Sequence, residues 1–164
     1  MAAGLLLLVC AGAVLYSAQA QDPYDGLPGD YKKGVDLALE QLNTRTRVHH
    51  RVRFFRTMGK SDIESGFGGK YVSHHFYLKP TRCAKGSTVS NAQTCPFRND
   101  RPLIDCAVCY KTAADQIESF PKPYVHCIQK PRLTEDTRTA RREHCRNMSY
   151  NPGGRTIMGM RGRN

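Results

Sequence analysis

The 164 residues include no tryptophan, and acid is scarce: 14 Asp and Glu stand against 25 Lys and Arg, for a formal charge of +11. Beyond residue 20 no run approaches the roughly 18 apolar residues of a membrane-crossing helix. The closing stretch, "NPGGRTIMGMRGRN", has neither acid nor aromatic ring. The chain carries no internal repeat, no nucleophile motif, no glycine-rich phosphate loop and no metal-ligand helix. An enzyme is therefore not expected, and neither a catalytic residue nor a cofactor or metal site is assigned.

What is present speaks first to compartment. Met1 to Ala20 carry no charge, and "LLLLVCAGAVL" has the length of a signal-peptide apolar core. It closes on Ala18-Gln19-Ala20, so the expected mature chain starts at Gln21 and is secreted. A secreted chain this basic is drawn to anionic surfaces such as heparan sulfate, microbial membranes or an acidic receptor face. Nucleic acid is a poor partner outside the cell.

Asp30 reads as an N-cap, and the following "YKKGVDLALEQLN" places Tyr31, Val35, Ala38, Leu39 and Leu42 on one helical stripe. "TRTRVHHRVRFF" then switches to period two, with Arg45, Arg47, Arg51 and Arg53 on one cationic strand face, the expected glycan-binding strip. "GKSDIESGFGGK" reads as a glycine-rich loop. "YVSHHFYLK" is a second strand with Val72, His74, Phe76 and Leu78 inward; "LIDCAVCYK" and "YVHCIQK" are a third and a fourth. A short helix is expected at "TRTARREHC". One helix followed by four strands predicts an α+β fold, the helix packed on a four-stranded antiparallel sheet.

Six cysteines remain once Cys10 leaves with the signal, and an even count in an oxidising compartment implies three disulfides. Cys106 and Cys109 are an odd number apart on one strand, so their side chains leave opposite faces. They should bridge different partners: Cys106 with Cys127 on the next strand, Cys109 with Cys145, and Cys83 with Cys95 as a local loop. Zinc bound by Cys106, Cys109, His126 and Cys127 is the lesser reading for a secreted chain.

The pieces "GVDLALEQLN", "VRFFRT" with "IES", "RC…TC", "DCAVCYK", "VHC" and "HC", in order from about Lys33 to Cys145, resemble the chemerin family. These are retinoic-acid-responsive secreted chemoattractants and adipokines. The resemblance implies a cystatin-like fold, and the family's disulfide pairing agrees with the one argued above. Cystatins, which share that fold, inhibit cysteine proteases through a Q-x-V-x-G loop and a Pro-Trp hairpin; this chain has neither. Cathelicidins, also of that fold, release a cationic peptide. The stretch after Cys145, with Arg146, Arg155, Arg161 and Arg163 and no acid, keeps a host-defence precursor as the alternative reading.

In chemerins, serine proteases trim the C-terminus of an inactive precursor, and the new end activates a chemokine-like G-protein-coupled receptor. With the signal peptide at 1–20, the resemblance implies a cystatin-like domain (21–145) and a flexible, processed tail (146–164); the chain is expected to act as a monomer. Tyr150, Pro152 and Gly153 match the family's tail; Arg155-Thr156-Ile157-Met158 stands where the family has aromatic residues. Arg161 and Arg163 offer trypsin-like cleavage, and trimming to Met158 would leave Ile157-Met158 as an apolar, receptor-entering end. Asn147-Met148-Ser149 is a glycosylation sequon.

Overall fold

The computed structural model describes residues 24–45, 48–66, 68–86 and 94–150. After a 3-10 turn at Tyr24–Gly26 come helix α1 (Gly29–Thr44), strands β1 (His50–Glu64), β2 (Gly69–Ala84), β3 (Ile104–Ala113), β4 (Gln116–Ile117) and β5 (Tyr124–Gln129), and helix α2 (Glu135–Tyr150). The strands form one antiparallel sheet in which β2 lies between β1 and β3, and β4 and β5 both pair with β3.

α1 crosses one face of that sheet. Tyr31, Val35, Ala38 and Leu42 recur at helical spacing and are all buried, against Phe54, Val72, Phe76, Leu78, Val108 and Tyr110. Burying each large apolar side chain contributes about 1.5–3 kcal/mol, so this layer dominates the fold's stability. Gly34, a poor helix former, stands where α1 comes closest to the sheet. A Cβ there would lie 3.2 Å from the Tyr110 ring. The helix begins one residue before Asp30, after Pro28, and Asp30 lies in its first turn. The Asp30 carbonyl accepts a hydrogen bond from the Tyr110 hydroxyl, tying helix to sheet.

The expected glycine-rich loop is mostly strand. β1 continues through Glu64, pairing with β2 as far as Lys70, so that only a short turn separates the two strands. Period-two pairing overrides the glycine content; the glycines are needed at the turn itself, where Gly66 and Gly68 have φ of 76° and 73°. The β3–β4 hairpin was not visible in the sequence. Its turn residues, Ala114 and Asp115, take φ of 47° and 60°, which Ala does not advertise.

The three bridges are Cys83–Cys95, Cys106–Cys127 and Cys109–Cys145. Cys106 and Cys127 are directly opposed in the β3–β5 register, their Cα atoms 4.2 Å apart, within the layer beneath α1. Cys109 faces the other way, as three-residue spacing on a strand requires.

Candidate functional site

The second face of the sheet is set by the residues alternating with the α1-facing ones: Tyr71, Ser73 and His75 on β2, Asp105, Ala107 and Cys109 on β3, Tyr124 and His126 on β5. α2 lies against this face. It starts where Pro131 and a 3-10 turn end β5; the Thr134 hydroxyl accepts from the Thr137 amide at 3.2 Å, and Glu135 and Asp136 complement the helix dipole. Arg141, Cys145 and Met148, at positions i, i+4 and i+7, form the stripe turned to the sheet.

Each member of the stripe has a different hold. The buried Arg141 guanidinium forms an ion pair with Asp105, donates from Nε to His126 Nδ1 at 2.7 Å, and reaches the His126 carbonyl at 3.2 Å. The other Asp105 oxygen meets His75 Nε2 at 2.9 Å. Burial pushes the Asp105 carboxyl up, but the hydrogen bonds and charges of His75 and Arg141 outweigh it and hold the carboxyl below its ordinary range. Burial, then the charges of Arg141 and Arg45, lower His126, which keeps Nδ1 free to accept from Arg141. Cys145 is bridged to Cys109, and Met148 packs on Tyr71. Beside them His144 stacks on Tyr124 with ring centroids 4.1 Å apart.

These holds fix the end of α2 at Tyr150. The expected boundary at residue 146 therefore falls inside a helix: Arg146 to Tyr150 continue α2, because Met148 gives the last turn a buried contact. Tyr150 is its final residue. Pro152, Gly153, Ile157, Met158, Arg161 and Arg163 lie outside the described residues. Asn147 is exposed on α2, while Met148, the middle of the sequon, is buried.

The four arginines of the expected cationic strip do not all lie on one strand. β1 starts at His50, so Arg45 belongs to the C-terminal cap of α1, and Arg47 lies outside the described residues. Arg51 and Arg53 alone of the four are on β1, both half-buried. Arg53 donates to the Cys95 carbonyl at 2.8 Å and lies over the Phe97 ring at 4.9 Å. The helix keeps its period through Thr44, which leaves Arg45 at its cap and not on the strand.

Between α2 and the sheet, toward the β1–β2 turn, lies a groove of about 460 Å³. Ile63, Tyr71, Ala107 and Met148 give it apolar walls, while Arg138, Arg142 and Arg146 line it from the helix. Nothing in the sequence marks this groove, because the apolar side chains of α2 are too few to show that it packs.

No family model matches the chain. It is 24% identical over 141 residues to a cystatin-like protein of Clarias batrachus, a match covering 85% of this chain and 79% of that protein. The α+β architecture, with α1 laid across an antiparallel sheet and three disulfides, together with that likeness supports a cystatin-like fold. Three disulfides fit an oxidising compartment, and among the described residues no helix is long and apolar enough to cross a membrane.

Proposed function

We propose that this chain is a secreted signalling protein of the chemerin type, a ligand and not an enzyme. Its disulfide-held domain presents a C-terminal segment that serine proteases trim to an active form. The trimmed end acts on a chemokine-like G-protein-coupled receptor, directing leukocyte migration and inflammation and regulating adipocytes. Heparan sulfate is a further partner for a chain of formal charge +11.

The observation that carries this reading is the fixed end of α2. Cys145 is bridged to the sheet and Met148 is buried on it, so residues 151–164 follow from one defined point. Those residues hold two cleavable arginines, Arg161 and Arg163, beyond the apolar pair Ile157-Met158. A protease and a receptor pocket both act on a chain segment that they can draw into extended form. Removing Gly159 to Asn164 also removes two positive charges next to that pair.

Three forms test it: full length, ending at Met158, and ending at Tyr150. The form ending at Met158 should drive receptor signalling and cell migration at lower concentration than full length, and the form ending at Tyr150 should be silent. Equal potency of all three rejects the reading. Permeabilised bacterial membranes without a receptor response would favour the cathelicidin-like host-defence alternative.

A further inference from the structure

The groove beside α2 has a composition that the signalling reading does not use. Four arginines line it, Arg138, Arg141, Arg142 and Arg146, and neither Asp nor Glu is among its lining residues. Arg141 is committed to Asp105 beneath the helix. Arg138 and Arg142 share one exposed acid, Glu135, at 3.8 and 3.3 Å. The helix thus offers the groove more positive charge than Glu135 neutralises, along α2 from Arg138 to Arg146. Opposite this edge the wall is mostly hydrocarbon, with Ser61, Ser73 and His75 set into it. Ile63 is 50% exposed, one of three large apolar side chains left open to solvent among the described residues, and it stands in the groove with Tyr71 and Met148.

We propose that this groove binds a long-chain fatty acid, the carboxylate on Arg142 and Arg146 and the acyl chain over Ile63, Tyr71 and Met148. A volume of about 460 Å³ falls in the range of small-molecule sites, roughly 300–1,000 Å³. Cations along one side and carbon along the other match one charged head on an apolar body. A peptide would lay polar backbone amides against Ile63, Ala107 and Met148, which cannot hydrogen-bond them. The chain's own segment 151–164 is a poor occupant, because its charges, Arg155, Arg161 and Arg163, have the sign of the rim. Arg138 at the far end is left to steer the anion inward.

The full-length protein is titrated with palmitate below its micellar concentration, displacing a fluorescent fatty-acid probe, with hexadecanol as the uncharged analogue. One palmitate per chain should displace the probe, more weakly as salt rises, and hexadecanol should bind at least tenfold more weakly. Arg142→Ser with Arg146→Ser, both at exposed positions, should weaken palmitate roughly tenfold and leave hexadecanol unchanged. Ile63→Asp, also exposed, should weaken both ligands. The proposal is overturned by absent displacement, by palmitate and hexadecanol binding alike, or by unchanged affinity in the arginine variant. It is equally overturned if a peptide of residues 151–158 displaces the probe and palmitate does not, for the groove would then hold the chain's own tail.

Discussion

His74 sits in the layer under α1 with its ring centroid 4.6 Å from Phe76 and 5.1 Å from Tyr31. Its Nε2 is 3.1 Å from the Thr57 hydroxyl, and its buried Nδ1 has no hydrogen-bond partner. Burial is the main cause that lowers its pKa from 6.5 to about 4, with the charges of Lys60 and His75 acting the same way. Because the folded value is depressed, the unfolded chain takes up the proton first. The contribution of His74 to stability is complete above about pH 6.5 and is lost as pH falls toward 4, on the order of 3 kcal/mol in all. Urea unfolding at pH 7 and pH 4 should therefore show a smaller acid-induced loss in His74→Gln than in the native chain. An unchanged difference between the two pH values would remove this role. Strand alternation alone placed the His74 side chain inward. That its ring would be held neutral, with one nitrogen unpartnered, depends on contacts from α1 and β1 that alternation does not encode.

At the scale of the element, legibility followed apolar periodicity. α1 and the inner faces of β2 and β3 are written in buried aliphatic and aromatic side chains at periods of 3.6 and 2, and both were readable. α2 is the opposite case. The sequence suggested a short helix of nine residues, whereas α2 runs over 16 and packs against β2 and β3. Its attachment uses one methionine, one half-cystine and one arginine, and an arginine aimed at a sheet looks in sequence like any solvated charge. The Arg141–Asp105 pair is consequently the feature to test. Arg141→Met leaves the buried Asp105 carboxylate facing only His75, and should cost about 3–5 kcal/mol in equilibrium unfolding. Adding Asp105→Leu removes the stranded charge and should recover most of that loss. If the double variant is as unstable as the single one, the ion pair is not what joins α2 to β3.

Across the whole molecule the two faces of the sheet are unequal. The α1 side holds a continuous apolar layer from Leu27 to Cys127, while the α2 side holds Tyr71, Cys109 and Met148 with Tyr124 and Cys145 beside them. So few apolar contacts cannot retain a 16-residue helix of polar composition against its loss of conformational entropy. The Cys109–Cys145 bridge makes up the difference. It closes a separation of 36 residues, worth about 4 kcal/mol by chain entropy, and it joins the weaker layer to a strand that the stronger layer already fixes. Stability should therefore be graded, with α2 opening before the α1 layer. In the variant Cys109→Ser with Cys145→Ser, amide hydrogens of α2 should exchange much faster, while those of α1 and of β2 in the Val72–Leu78 stretch stay protected. Uniform loss of protection would mean that the two faces unfold as one unit. If α2 alone opens, the variant also separates presentation from sequence. It carries an unaltered segment 151–164 on a helix no longer held to the sheet, and in the form ending at Met158 it should signal less potently than the same form with the bridge intact.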